Sequence, residues 1–318
     1  ANIQGDKTLW AVLILLAGFS FLPVYSAASN LAYVSGSGNT FNYLFKHFIH
    51  LSLGFTFMYL MQKIPYHYFR GISILMIPVV IVLLLYTIFQ PSVTDSLTNT
   101  NRWIKIPFVG FTFQPSTLAG VILMIYVSRY LAKIKDIDVR FSQTILPLWI
   151  PTLFILLLIL PANFSTTAII FSMVILLCFV GGYPIKHLLA IVLSGILVLS
   201  IFILTIKAYP GIFPNRVDTW KSRIENFVNK ENNTKNYQIE KAKIAIATGG
   251  VRGLGPGKSV QKNFLPQSSS DFIFAIIIEE YGLIGGLVLL TVYALFLLRI
   301  IIISNKAESV FGSLLVIA

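Results

Sequence analysis

The stretch ISILMIPVVIVLLLYTIF, residues 72–89, runs for 18 positions without one charged side chain. A helix needs about 20 mostly apolar residues to cross about 30 Å of hydrocarbon, so this run is long enough for one crossing. Seven similar runs flank it, at 8–27, 43–61, 113–130, 145–160, 166–180, 188–206 and 284–303. A further run begins near Val310 and stops at Ala318, so the sequence reads as ending inside a membrane helix. The fold class that follows is all-α and polytopic, with eight transmembrane helices plus the start of a ninth. Residues 1–318 are expected to form a single integral membrane domain, truncated at its C-terminus, with a large loop at 207–270.

Composition agrees with this reading. Charged residues make up 11% of the 318 residues, where a soluble domain carries about 25%. Hydrophobic residues reach 56% and the mean hydropathy is +0.80. Cys178 is the only cysteine, which excludes an internal disulfide framework and a thiolate zinc site. The net charge of +12 would suggest a nucleic-acid partner in a soluble chain. Here the cations sit beside membrane runs, and no nucleic-acid partner is expected.

Lys and Arg in short loops are retained on the cytoplasmic side. Lys63, Arg70, Arg129, Lys133, Lys135, Arg140 and Lys186 fall in alternate connections, while 28–42 and 161–165 hold no Lys or Arg. The N-terminus is therefore expected in the cytoplasm and the 207–270 loop outside. That loop carries eleven basic residues against four acidic ones, an excess of seven that points to an anionic partner at the outer leaflet. Val217, Trp220, Ile224, Phe227 and Val228 recur at helical spacing, as in a helix lying on the membrane or one covering its neighbours. A second helical stretch, 237–248, ends at Gly249-Gly250, which suits a left-handed C-terminus.

The glycine run Gly253-Leu-Gly-Pro-Gly-Lys-Ser259 invites a nucleotide-binding reading, which fails on spacing. A phosphate loop would need glycine where Arg252 stands, and no strand precedes it. Irregular backbone close to the membrane or a ligand is the better reading. Lys46, His47 and His50 lie near the outer end of the second run, where snorkelling or an ordinary hydrogen bond fits better than a metal site lacking a third ligand. Arg102, Trp103 and Lys105 precede the fourth run. Asp271 leads directly into the apolar FIFAIII stretch before Glu279-Glu280. At the lipid edge Asp271 suits a general base, although on residue type and position alone a structural role such as a helix cap is the favoured reading. Eight residues of helix separate Asp271 from Glu279 by about 12 Å, which is wider than a hydrolase carboxylate pair.

At these residues the chain resembles the FtsW/RodA/SpoVE family of shape, elongation, division and sporulation proteins. The match runs over essentially the whole chain. Its most specific stretch is Ala247-Thr-Gly-Gly-Val-Arg-Gly-Leu-Gly-Pro-Gly-Lys-Ser-Val-Gln-Lys-Asn-Phe-Leu-Pro266, followed by Asp271-Phe-Ile-Phe-Ala275 and Glu279-Glu-Tyr-Gly-Leu-Ile-Gly285. Arg102-Trp-Ile104, Phe113-Gln-Pro-Ser116 and Tyr237-Gln238 support it, and Gly257-Lys-Ser-Val-Gln-Lys262 looks more like the division branch than the elongation branch.

The resemblance implies a multi-pass protein of the bacterial inner membrane, at the division septum. It also implies a glycosyltransferase that polymerises lipid II into glycan strands during cell division. Implied partners are lipid II, a class B penicillin-binding protein (a transpeptidase), other divisome proteins and membrane lipids. Asp271 corresponds to the family's essential aspartate. Arg102, Lys105, Gln114, Ser116, Arg216, Arg223, Gln238 and Lys258 are the expected substrate contacts. Charge on the leaving diphosphate needs arginines or a divalent cation, Mg2+ or Mn2+, for which Asp271 is a possible ligand. The chain departs from the family pattern at Thr117 and Gly120, where an acidic residue and a lysine are usual, and at Lys241 and Gln267. A lipid II flippase or transporter, and a non-catalytic divisome scaffold, are the alternative readings.

In a Cys178→Ser background, Ser37→Cys should react with an impermeant thiol reagent in intact cells and Ile134→Cys should not. The reverse labelling pattern inverts the proposed orientation.

Overall fold

A computed structural model describes residues 5–34, 40–89, 103–105, 112–135, 137, 140–208, 233–265 and 268–318. In hydrocarbon no water replaces a missing backbone partner, so an apolar run must satisfy its own peptide groups as a helix. Every run does so. The helices are α1 (Lys7–Val34), α2 (Thr40–Met61), α3 (Tyr68–Phe89), α4 (Pro115–Ile134) and α5 (Phe141–Ile159), then α6 (Phe164–Val180), α7 (Ile185–Ala208), α8 (Asn233–Gly249), α9 (Ile273–Asn305) and α10 (Val310–Ile317). Among the described residues five helices, α1, α3, α4, α5 and α9, are long and apolar enough to cross a membrane, while α6 and the first half of α7 are shorter apolar helices. Leu287, Val288 and Leu297 on α9 are more than half exposed, an arrangement suited to lipid and costly in water. Among the described residues the purely helical expectation fails at a short antiparallel ladder that pairs Ile104 with Phe113 and Lys105 with Thr112. The amphipathic stretch 217–228 lies outside the described residues.

The helices group into two compact units, Ala1–Ile64 with Ser222–Ile302, and Pro65–Lys221 with Ile303–Ala318. In the first unit α1 packs on α2. Trp10 stacks on Phe55 at 6.2 Å, and His47 Nε2 lies 2.8 Å from Ser20 Oγ, an ordinary hydrogen bond, one of the two readings expected there. His50 Nδ1 lies 2.6 Å from the Lys46 carbonyl. Ahead of α1, Asp6 accepts the Leu9 N–H at 2.9 Å and pairs with Arg299 of α9 at 2.5 Å. Hydrogen bonding to Arg299 is the main reason the Asp6 carboxyl is held down at about 2, below its ordinary 3.8. A depressed carboxyl stabilises the fold above its unfolded value, so this pair is intact at neutral pH and is lost only as pH falls through about 2.

The last long helix begins at Ile273, eleven residues before the apolar run expected at Ile284, and it is broken at Gly282, whose φ of 70° and ψ of −173° are not helical. An unbroken helix would bond Leu283 N–H to the Glu279 carbonyl and Ile284 N–H to the Glu280 carbonyl. Both bonds are cut, and the segment after α8 supplies all four replacements. Leu283 and Ile284 donate to the carbonyls of Gly250 and Val251 at 2.9 and 3.3 Å. Leu254 and Gly255 donate to the carbonyls of Glu279 and Glu280, both at 2.9 Å. So close an approach of backbones leaves no room for side chains. A Cβ on Gly249 would lie 2.1 Å from the Ile278 oxygen, and one on Gly282 would lie 2.2 Å from the Val251 oxygen.

The second unit is built on α3 and α4, antiparallel neighbours whose buried Val80, Leu84, Leu123, Val127 and Leu131 share one core with Leu148, Ile155, Val174 and Leu177. Within α5 the segment Ile145–Trp149 is a π-turn containing Pro147, which lacks an N–H to continue the ladder. The Tyr126 hydroxyl donates to the Pro147 carbonyl, and Tyr183 bridges Thr144 at 2.6 Å and Trp149 at 3.3 Å. The short α10 is capped by Ser309, whose hydroxyl accepts the Gly312 N–H at 3.1 Å.

Gly282→Ala should destabilise the protein by about 2 kcal/mol or more, from a left-handed alanine and a backbone clash together. Gly18→Ala, where an added Cβ meets nothing within 4 Å, should be neutral or stabilising. Thermal unfolding of both variants in detergent checks the contrast, and equal midpoints would refute the role given to the break.

Candidate functional site

The first unit holds two adjacent carboxylates that are almost inaccessible, Glu279 at 0% and Glu280 at 1%. Charges there are expensive unless hydrogen-bonded, and the segment after the glycine run supplies the donors. Glu279 accepts the Ser259 hydroxyl and the N–H groups of Val260 at 3.1 Å and Gln261 at 3.3 Å. Glu280 Oε1 accepts the Ser26 hydroxyl from α1 and the Ser259 N–H at 3.3 Å, while its Oε2 is buried with no protein partner among the described residues. Lys262 Nζ completes the cluster, 3.2 Å from Ser26 Oγ and 2.8 Å from the Gly257 carbonyl. The glycine run is thus neither a phosphate cradle nor free loop. It splices the broken helix through its backbone, and the residues after it hold the two glutamates.

On this frame sit the residues expected to carry chemistry. Asp271 is exposed on the turn that precedes α9, two residues before Ile273. Among the described residues its carboxylate makes no hydrogen bond, so it caps no helix in this structure. Lys258 is exposed and folds back over Gly255, where an added Cβ would touch its Cδ at 3.4 Å. Gln238 is half-buried in α8, three residues before Lys241, whose Nζ lies 5.3 Å from the Tyr237 ring centre and 5.0 Å from that of Phe264. Asp271, Lys258 and Gln238 therefore share a unit, and no ion pair or hydrogen bond joins them.

The remaining candidates divide differently. Gln114 and Ser116, in the second unit, are brought together at the start of α4, where Gln114 Nε2 donates to Ser116 Oγ at 3.0 Å. The backbone of Lys105 pairs with Thr112 in the short ladder. Arg102, Arg216 and Arg223 lie outside the described residues. Thr117 is exposed, and a Cβ at Gly120 would lie 3.3 Å from Ile170 Cδ1, so an isoleucine occupies the room a longer side chain would need. Among the described residues no three His, Cys, Asp or Glu side chains converge as a metal-binding group.

Sequence reasoning missed the cluster of Glu279, Glu280, Ser259, Ser26 and Lys262. Two consecutive carboxylates in an apolar run were a signal for it. Ser26, 254 residues from its partner Glu280, gave none. Glu279→Gln replaces one acceptor oxygen by an amide that must face backbone donors. It should cost about 1–3 kcal/mol and loosen residues 256–264. Limited proteolysis and thermal unfolding read this, and a wild-type pattern in both would show the cluster to be dispensable.

The family described as cell cycle protein, FtsW/RodA/SpoVE, matches residues 6–318. A relative from Marinomonas mediterranea, named a probable peptidoglycan glycosyltransferase FtsW, is 31% identical over 96% of this chain and 73% of its own length. A chain in a solved peptidoglycan synthase complex, described as coordinating polymerization and crosslinking, matches with a TM-score of 0.70 at 19% identity over 99% of this chain and 82% of that one. The crystal structure of the Rod shape determining protein RodA of Thermus thermophilus matches with a TM-score of 0.63 at 19% identity, over 98% of this chain and 79% of that one. The chain belongs to the FtsW/RodA/SpoVE family of cell cycle proteins.

Proposed function

We propose that this chain is a peptidoglycan glycosyltransferase that polymerises lipid II into glycan strands during cell division. Its eight apolar runs cross the bacterial inner membrane as eight spans, with the N-terminus in the cytoplasm, residues 207–270 outside, and the septum as its place of action. A single observation carries the catalytic assignment: Asp271 stands exposed and uncapped on the turn leading into α9, in a chain of this family.

An exposed carboxylate with no hydrogen-bond partner among the described residues is accessible to an incoming hydroxyl. Asp271 takes the proton of the acceptor sugar hydroxyl as that oxygen attacks the anomeric carbon of the donor. The new C–O bond forms as the bond to the lipid diphosphate breaks, with inversion, and the diphosphate leaves with the electron pair. Lys258, exposed beside Gly255, is a candidate cation for this leaving group, and Arg102, Lys105, Arg216, Arg223, Gln114, Ser116 and Gln238 are candidate lipid II contacts through the family resemblance. Mg2+ or Mn2+ would offset diphosphate charge as a Lewis acid. Asp271 is the residue that would hold such an ion, as the alternative to its duty as general base. A class B penicillin-binding protein and other divisome proteins are the proposed partners, since polymerised strands require crosslinking.

A scaffold role is the second reading, favoured by one observation: Ile170 fills the room beside Gly120, where the resemblance leads to a lysine. Purified protein with its partner, given lipid II in detergent and in liposomes, separates the readings. Glycan chains mean polymerase, transbilayer movement without polymer means flippase, and neither means scaffold. Within that assay Asp271→Asn keeps shape and hydrogen-bond acceptance but takes no proton. It should fold and bind its partner normally while synthesis drops by about 10²-fold or more. Retained synthesis would remove Asp271 from the mechanism.

A further inference from the structure

In the second unit, the start of α3 and the end of α4 border a cleft of about 450 Å³ lined by Arg70, Gly71, Ile74, Arg129, Ala132 and Lys133. Three of the six lining residues are cations and none is acidic. Arg129 and Lys133 are one helical turn apart on α4, and Arg70 and Ile74 one turn apart on α3, so helical spacing aims both pairs into the same space. Among the described residues none of the three cations is ion-paired. The Arg70 guanidinium lies over the Phe311 ring at 4.8 Å, which covers its face and leaves its N–H edge available. Arginine presents that edge as a planar fork that matches phosphate oxygens.

Charge retention in a short loop explains why cations gather at this end of the helices. It does not explain their convergence from two helices on one cleft. The remaining lining is apolar or absent. Ile74 is 46% exposed, and a Cβ added at Gly71 would meet nothing within 4 Å. A basic rim over an apolar wall at a membrane boundary suits an amphiphile better than a soluble anion. We propose that this cleft binds the phosphate of an anionic phospholipid headgroup, with Arg70, Arg129 and Lys133 on the phosphate and an acyl chain along Ile74. On the orientation proposed above, the lipid belongs to the cytoplasmic leaflet. The proposal needs only that the helices span a membrane and does not depend on the glycosyltransferase reading.

The test is equilibrium binding of fluorescent phosphatidylglycerol to the detergent-purified chain, competed by unlabelled phosphatidylglycerol, by phosphatidylcholine of the same chains, and by inorganic phosphate. Phosphatidylglycerol should compete about tenfold or better over phosphatidylcholine. The double variant Arg129→Gln/Lys133→Gln should lose about tenfold in affinity. Gly71→Leu keeps every cation, replaces a poor helix former and fills the cleft, and it should lose affinity to a similar extent. Equal competition by the two lipids, or wild-type binding by Gly71→Leu with normal circular dichroism, overturns the proposal. Full displacement by millimolar inorganic phosphate would keep phosphate recognition and overturn the lipid assignment.

Discussion

A break in a membrane helix is the constraint on which the described part of the first unit depends. At Gly282 two consecutive helical hydrogen bonds are cut, which in a medium without water leaves four polar groups that must find partners. They find them in one short segment, because residues 250 and 254, and likewise 251 and 255, supply an acceptor and a donor at the spacing of the groups they replace. Such a splice requires backbone against backbone. Gly249, Gly253 and Gly282 are accordingly small for a packing reason, with Cβ positions that would fall 2.1 to 2.3 Å from carbonyl oxygens.

The splice also sets the charge distribution. Glu279 and Glu280 belong to the helical half before the break, and their side chains turn into protein, where Ser259, Ser26 and backbone N–H groups bond both oxygens of Glu279 and Oε1 of Glu280. Asp271, eight residues earlier, is exposed and has no such partners among the described residues. Three carboxylates on one short segment thus divide by environment. Three of the buried pair's four oxygens are held by structural donors, and the pair is fit to hold a loop. The exposed one has its oxygens available and is fit to accept a proton or a ligand.

How much of this was legible in the sequence depends on the range of the interaction. Helices follow from local apolarity, so runs such as 72–89 and 166–180 reappear as α3 and α6 with ends moved by a few residues. The left-handed stop after α8 was equally local, and Gly250 has a φ of 52°. The start of α9 was placed too late because the polar Glu279-Glu280 pair interrupts the hydropathy that marks a span. Only tertiary hydrogen bonds make that pair tolerable inside a helix. The ladder of Ile104 with Phe113, the π-turn at Pro147 and the reach of Ser26 to Glu280 depend on distant or irregular backbone, which periodicity does not encode. Asp271 was recognisable by type and position. Its lack of a cap hydrogen bond, which separates the two roles its type allows, is a matter of two residues of register before Ile273.

The absence of a charged pair at Thr117 and Gly120 bears on where positive charge for a diphosphate must come from. Gly120 cannot regain a long side chain without moving Ile170, which packs against the buried core of α4 and α6. Cations also stand in the glycine-rich segment of the first unit. There Lys258 lies across Gly255, whose N–H is held by the Glu280 carbonyl, and Lys262 is fixed on Ser26 and Gly257. Lys262, tied to a buried cluster, is a structural cation. Lys258 is exposed beside Gly255, in the same segment whose backbone repairs the broken helix.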